Sequence, residues 1–176
     1  MKLTDSRFFP PDTLDFGQPL ALIGDCHQRM ENHCDLLRQI ADRLENGGLG
    51  LEDATSAQGI HKYFSKYAPL HQQDEEESLF PRLVRQSLKL AEIVHRLKGD
   101  HQQQDQLWRE LGPQLARINS VQEIAPFVTL CNRFCDALTA HQRDEDENLL
   151  LIAQHIFSSR EFATIGAEMA ARRGKR

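Results

Sequence analysis

A nine-residue pattern, H-Q-x-D-E-x-E-x-L, occurs twice in this chain. It runs from His71 to Leu79 and again, seventy residues later, from His141 to Leu149. On a helix, a residue four positions further along lies one turn away and about 40° round, so each histidine and the glutamate four residues beyond it can reach the same ion. A solvated acidic helix face gives no reason for a histidine to recur at the head of the run. The repeat therefore predicts two inward-facing His-x-x-x-Glu helices.

The rest of the chain has the period of helices buried along one face, because apolar residues recur every three or four positions. Strand signals are absent. We expect four long helices and a short fifth, over about 19–45, 54–80, 89–111, 120 or 126 to 157, and 159–171. The fold class is thus all-α, an up-down four-helix bundle (residues 19–157) with an irregular N-terminal arm (1–18) and a short C-terminal helix and basic tail (158–176).

Prolines and one polar pair predict details of the helix ends. Pro69 predicts a kink in the second helix or a broken first segment, and Pro81 should end this helix or bend its last turn. Pro113 should bend or end the third helix. Ser120 with Glu123 has the spacing of a capping box for the start of the fourth. In the arm, four apolar residues should attach the segment to the body: Phe8, Phe9, Leu14 and Phe16.

The first and third helices also match each other. Gly24-Asp25-Cys26-His27 corresponds to Gly99-Asp100-His101, and the two histidines are 74 residues apart. Each half of the chain therefore contributes one helix with a lone inward histidine and one with a His-x-x-x-Glu pair, as in a duplicated helical hairpin. Brought together antiparallel, the four histidines would meet at one level of the core.

Such a set of buried side chains calls for a cation, because buried polar atoms need partners and an unpaired buried carboxylate is costly. Six ligands exceed what one tetrahedral zinc ion uses, so we expect two ions that share carboxylates. Mixed imidazole and carboxylate ligands suit iron or manganese better than a metal that prefers thiolate. The candidate ligands are His27, His71, Glu75, His101, His141 and Glu145.

Composition excludes several other classes of protein. The formal charge of -5 provides no basic surface, so we expect no nucleic-acid partner. No apolar run is long enough for a signal segment or a bilayer span, so we expect a cytoplasmic protein with no membrane partner. The four cysteines fit no zinc-ribbon spacing, and none falls naturally into the ligand set, although Cys26 adjoins His27; the others are Cys34, Cys131 and Cys135. We interpret Cys131 and Cys135, four positions apart on a helix, as small half-buried residues.

At these residues the chain resembles a known family. The order His27, His71-x-x-x-Glu75 followed by L-F-P, His101, and His141-x-x-x-Glu145 is similar to the hemerythrin-like HHE cation-binding family over roughly residues 20–155. The resemblance implies a non-haem di-iron centre of two oxo- or hydroxo-bridged iron ions, with manganese or zinc as substitutes. It also implies four terminal imidazoles and, in Glu75 and Glu145, two bridging carboxylates.

The implied function is to bind or react with a small diatomic or peroxide ligand, such as O2, NO or hydrogen peroxide, in sensing, scavenging, or iron and oxygen handling. Two alternatives stay open: a di-iron oxidase or peroxidase, and a metal-stabilised structural or interaction module. Oxygen-carrying hemerythrins have a second histidine one turn after that of the third helix, where this chain has Asp105. A site richer in carboxylate favours the ferric state, which argues against simple reversible oxygen carriage. The sequence indicates no particular protein partner.

Several positions near the candidate ligands allow two interpretations. Asp146 competes with Glu145 as the second bridging carboxylate, although we prefer Glu145. Glu31 and Asp105 each lie one turn past a histidine and could orient a ligand or simply face solvent. Tyr67, one turn before His71, could hydrogen-bond a small ligand or be a core aromatic. We expect surface positions or ordinary packing for His33, His61, His95, His155 and Trp108.

Overall fold

The structure, a computed structural model, describes residues 5–11 and 13–175, and throughout this part of the chain it contains helices and no strands. The α-helices are α1 (Pro19–Asn46), α2 (Asp53–Lys66), α3 (Ala68–Gln73), α4 (Phe80–Leu83), α5 (Leu88–Leu115), α6 (Ile124–Glu145), α7 (Leu151–Ile156) and α8 (Ser159–Arg172). A first π-helical segment, Asp74–Leu79, joins α3 to α4, and a second, Asp146–Leu150, joins α6 to α7. The predicted all-helical class is confirmed.

Four helices enclose the core as a ring of contacts. Helix α1 packs against α6 and α2, and α5 packs against the same two helices. The apolar core falls into two clusters, one around Leu37, Ile60 and Leu111 and one around Ile23 and Leu97. Along α1, along α5, and from α6 into the π segment that follows it, the residues of one cluster are succeeded by those of the other. The predicted inward histidines of these helices lie at that change. A polar layer therefore separates two apolar ends of the core.

The helix breaks near Pro69, as predicted, whereas Pro81 and Pro113 interrupt the helices less than expected. Helix α2 ends at Lys66, and Pro69 lies in the first turn of α3, where its missing N–H costs no helical hydrogen bond. Pro81 is tolerated in the first turn of α4 for the same reason, so the helical path continues to Leu83. Pro113 lies inside α5, which ends at Leu115 and not near residue 111.

The predicted capping box at Ser120 and Glu123 is wrong. Ser120 closes a 3₁₀ turn, Ile118–Ser120, and the N-cap of α6 is Glu123, whose side chain makes no cap hydrogen bond. A capping box instead opens α8, where the Glu161 N–H donates to Ser158 Oγ at 3.3 Å and the Ser158 N–H donates to Glu161 Oε2 at 2.8 Å.

The N-terminal arm packs on the helices, as predicted. Phe9 is buried in the first apolar cluster, with Phe8 against it, while Leu14 and Phe16 pack on the second. The arm also meets α8 closely, since a Cβ on Gly166 would lie 1.9 Å from the Phe16 carbonyl oxygen. The remaining residues of the predicted arm, 1–4 and 12, and residue 176 of the tail lie outside the described residues. Within the described chain, none of the helices combines the length and the apolar character needed to cross a bilayer, and the cytoplasmic location stays a prediction.

Candidate metal centre

The structure brings the six predicted ligands together in the polar layer of the core. All are buried, and the two glutamates have no exposed surface at all. They come from four different parts of the fold: α1 (His27), the α3 region with the first π segment (His71 and Glu75), α5 (His101) and α6 (His141 and Glu145). The histidines and glutamates of the sequence repeat therefore meet at one place in the folded chain.

Four of these side chains form a first set: His27, His71, Glu75 and Glu145. Each offers one ligand atom, and these atoms lie within 4.8 Å of one another. His71 Nε2 is 2.6 Å from Glu75 Oε1, and His27 Nε2 is 3.3 Å from Glu145 Oε2. One cation could contact all four.

Glu75 also belongs to a second set, with His101 and His141. His101 Nε2 lies 3.1 Å from Glu75 Oε2 and 3.1 Å from His141 Nε2. The two oxygens of one carboxylate therefore face two different groups of imidazoles, which is the arrangement expected of a bridging ligand. Glu145 reaches toward the second set as well, since its Oε2 is 3.7 Å from His141 Nε2.

The buried atoms of these sets lack the hydrogen bonds that buried polar atoms normally make. Both carboxylate oxygens of Glu75, both of Glu145, and Nε2 of His27 have no hydrogen-bond partner. Such atoms are costly unless something else satisfies them, and a cation does so. Imidazole nitrogen and carboxylate oxygen are ligands that iron, manganese and zinc accept. The residues present therefore fit a metal centre.

Acidic side chains hold the outer ring nitrogens of two of the histidines. Asp146 Oδ1 is 2.9 Å from Nδ1 of His27, and Glu76 Oε1 is 2.7 Å from Nδ1 of His101. A carboxylate on Nδ1 keeps the proton there and turns Nε2 toward the metal side. For His141, Asp100 Oδ2 on α5 lies 3.6 Å from Nδ1, which is too far for a hydrogen bond, and this nitrogen has no hydrogen-bond partner.

These supporting acids were only partly found from the sequence. Asp146 was a candidate bridge, but the structure places it behind His27, whereas Glu145 faces inward. Glu76 was missed. The signal was present in the repeat, because Glu76 and Asp146 occupy equivalent positions of the nine-residue pattern, each directly after its glutamate. Each supports the lone histidine of another helix, so the twofold pattern extends to the supporting residues.

Both π-helical segments lie at the candidate ligands. The first contains Glu75, and the second begins at the residue after Glu145. A π turn holds more residues than an α turn, and such turns often occur at functional sites. The extra residue changes which side chains face the core, and for this reason α-helical spacing alone could not assign every acid of the two runs to a side.

A cavity of about 80 Å³ adjoins the centre. Three of the candidate ligands, His71, His101 and His141, line one end of it. Its other walls are mainly apolar, with Gln72, Gln104 and Asp105 as polar exceptions, and include Met30, Phe64, Trp108, Phe134 and Leu138. Since a water molecule takes roughly 30 Å³ of liquid volume, the cavity has room for a ligand of two or three heavy atoms.

The structure also decides the remaining open positions. Tyr67 does not line this cavity; its ring packs 6.0 Å from that of Phe9 and 5.9 Å from that of Tyr63, which favours the core-aromatic interpretation. Asp105 is exposed at the cavity edge, and Glu31 is exposed in a groove beside His27.

The other histidines and the cysteines lie apart from the ligand sets, with one exception. His33 is buried, and its Nε2 lies 2.8 Å from the Phe8 carbonyl oxygen. His61 packs against Trp108, while His95 and His155 are exposed. Three of the cysteines are buried packing residues: Cys34, Cys131 and Cys135. The exception is Cys26, whose thiol neighbours His71 and contributes to that residue's raised pKa.

Charge at the centre is concentrated on Glu75. Although burial acts in the opposite direction, the surrounding imidazoles hold the pKa of Glu75 well below its ordinary value. Burial, with the charge of Glu75 added, raises the pKa of Glu145 to about 7. Burial opposes protonation of His71, yet Glu75 raises its pKa to about 10, whereas burial lowers the pKa of His141 to about 3. A cation binding here must displace imidazole protons, so its affinity should fall in acid.

Comparison with known proteins adds the family. The family model described as the hemerythrin HHE cation binding domain matches residues 18–153, a span that contains all six candidate ligands and ends before α8. The chain is also 27% identical, over 164 residues, to an uncharacterized protein of Haemophilus influenzae, and the alignment covers 93% of this chain and 95% of the relative. On the family match, this chain belongs to the hemerythrin HHE cation-binding family.

Proposed function

We propose that this protein holds a non-haem di-iron centre and uses it to bind or react with a small oxidant such as O2, NO or hydrogen peroxide. The observation that carries the proposal is the position of Glu75. Its two buried carboxylate oxygens face separate sets of imidazoles and have no hydrogen-bond donors of their own. A single ion would satisfy only part of this arrangement.

The residues divide between the two ions. One ion would be held by His27, His71, Glu145 and Glu75 Oε1, and the other by His101, His141 and Glu75 Oε2. Iron bound there supplies one-electron redox chemistry and coordination positions that the protein leaves open. The contacts of α1, α2, α5 and α6 support the further proposal that these helices form an up-down four-helix bundle around the centre.

The protein's own contribution is to orient the ligand side chains and to enclose the space beside the centre. Asp146 and Glu76 fix the ring orientation of one histidine in each set. The second set has three protein donors, one fewer than the first, and its two histidines line the 80 Å³ cavity. The open positions should therefore face the cavity. Its apolar walls favour small neutral ligands over hydrated anions, because an anion would lose its hydration without gaining a donor-rich site.

Reconstitution with iron tests the proposal. Metal-free protein loaded with Fe(II) without oxygen should bind about two ions per chain and develop near-ultraviolet charge-transfer absorption on exposure to oxygen. The spectrum should respond to NO, azide or peroxide. The His71→Ala variant should lose half of the bound iron or more, while His33→Ala, which removes an equally buried histidine outside both sets, should keep it.

The alternatives give different results. Catalytic turnover of hydrogen peroxide would identify a di-iron peroxidase. Iron that is bound at full stoichiometry but whose spectrum ignores O2, NO and peroxide would refute the oxidant chemistry and leave a metal-stabilised structural module. Wild-type protein that binds no iron would refute the centre itself.

A further inference from the structure

Helix α8 lies outside the span that the family match covers, yet it contacts the segment that carries Glu75. The match ends at residue 153, and α8 (Ser159–Arg172) packs against the first π segment, Asp74–Leu79. Nothing in the repeat predicts this contact, since the segment equivalent to α8 is absent from the first half of the chain.

The contact centres on Asp74, the residue before Glu75. Its side chain is 1% exposed, although it carries a charge that is normally found at the surface. Arg172 Nη1 donates to Asp74 Oδ1 at 2.8 Å, and Arg173 Nη2 donates to Oδ2 at 2.6 Å. Arg173 Nη1 donates to Oδ1 as well, at 3.1 Å, which completes a bidentate pair. Charge-assisted bidentate pairs are among the most geometrically restrictive contacts that side chains make.

The same arginines hold other parts of the π segment. Arg172 Nη2 donates to Ser78 Oγ at 2.6 Å, and Arg172 Nε donates to Glu77 Oε2 at 3.1 Å. One guanidinium group therefore contacts Asp74, Glu77 and Ser78 together. Because π-helical turns are rare and are seldom favoured by local sequence, the contacts with the buried Asp74 and Ser78 help to keep the segment in that conformation, whereas Glu77 is exposed.

The carboxylate of Glu75 is not held by comparable contacts on the side that faces the proposed metal ions. Its polar contacts are with His27, His71 and His101, which would bind the same ions, and neither of its carboxylate oxygens has a hydrogen-bond partner. The position of the shared carboxylate is therefore set by the backbone of the π segment, which is held from its outer side.

We infer that Arg172, the last residue of α8, and Arg173, which follows it, are positioning residues for the metal centre, which hold the shared carboxylate of Glu75 in place through the buried side chain of Asp74. The inference rests on the proposed centre. Since Glu75 contributes to both ligand sets, a displacement of this segment reaches both ions. Loss of a supporting residue behind a metal ligand typically weakens metal binding by about 10- to 100-fold.

Two substitutions test the inference. Arg173→Gln removes the bidentate pair but leaves Arg172 to neutralise Asp74, and Asp74→Asn removes the carboxylate that both arginines hold. The affinity for Fe(II), measured anaerobically against a competing chelator, should fall by about tenfold or more in each. The near-ultraviolet absorption of the oxidised protein should change in parallel.

Two matched controls lie on the same elements. Glu168→Gln removes a separate ion pair of α8, in which Arg82 Nη2 donates to Glu168 Oε1 at 2.8 Å, without touching Asp74. Glu77→Gln changes an exposed contact of Arg172 on the π segment itself. Both should bind Fe(II) within about twofold of wild type, because the Glu77 contact is exposed and the partly buried Glu168 pair does not contact Asp74.

The outcomes separate this inference from the proposed function. If Arg173→Gln and Asp74→Asn bind Fe(II) as tightly as wild type does, the inference alone is overturned. It is also overturned if Glu168→Gln loses as much Fe(II) affinity as these two variants. Wild-type protein without iron would overturn the centre and the inference together. Helix content of the metal-free variants is measured first. If Arg173→Gln is partly unfolded, Arg173→Lys replaces it, since Lys keeps the charge but not the bidentate geometry; iron affinity equal to wild type would then overturn the inference.

Discussion

The stabilisation that bound metal gives should distinguish His71 from His33, two histidines that burial alone does not distinguish. His33 and His71 are 0% and 4% exposed, and both lie in the helical core. His71 belongs to a ligand set, whereas His33 bonds the carbonyl oxygen of Phe8. We expect His71→Ala to abolish most of the stabilisation that metal gives, and His33→Ala to leave that stabilisation intact.

The magnitude follows from linkage. A ligand that binds only the folded state at 100 times its Kd raises the free energy of unfolding by about 2.7 kcal/mol. For a chain of this size, each kcal/mol shifts Tm by roughly 2–4 °C, so wild type should gain about 5–10 °C on metal loading. The His33→Ala variant should start from a lower Tm, because it leaves the Phe8 carbonyl without its donor at a cost of about 1–3 kcal/mol, and then gain the same shift.

The assay is thermal unfolding of both variants and wild type, each metal-free and with excess Mn(II) or anaerobic Fe(II). The quantity that decides is the difference between loaded and metal-free Tm, which removes the separate cost of each truncation. If His71→Ala keeps the full shift, or if both variants lose it equally, the assignment of His71 to the centre is wrong.

Three further predictions concern the two glutamates, a pH effect and a close contact. Glu75→Gln should lose both metal ions and Glu145→Gln at most one, because only Glu75 belongs to both ligand sets; equal metal-to-protein ratios in the two variants would contradict this. Burial lowers the pKa of His33 from 6.5 to about 4, so between these values the unfolded chain binds more protons than the folded one, and stability falls as the pH falls. Urea unfolding of metal-free protein should show a loss of up to about 3 kcal/mol across this window, and His33→Gln should lose less; identical pH profiles would refute the reasoning. Gly166→Ala should lower the free energy of unfolding by about 1–3 kcal/mol, because its Cβ would collide with the backbone of the arm. Gly24→Ala is the control: its Cβ would have nothing within 4 Å, so the substitution should be neutral or slightly stabilising.

The sequence was most informative where two signals agreed. The repeat placed His71 and His141 at equivalent positions, and the apolar period placed both on buried faces. Neither signal alone separates a candidate ligand from an ordinary core histidine, as His33 shows, since it is just as buried. The helix ends were less predictable, because Pro69 and Pro113 have the same local chemistry but one lies at a helix start and the other inside a helix.

The sequence by itself determined the helical class, the duplicated hairpin and the six candidate ligands, because these depend on local period and on repeated residue types. Only the tertiary structure decided which carboxylate is shared between the two sets, which acids stand behind the imidazoles, and that α8 holds the segment of Glu75. Helical period specifies which side of a helix faces inward, but not which helix lies opposite or at what height. Those relations come from packing and from the two π turns, which shift the side chains after them relative to any α-helical count.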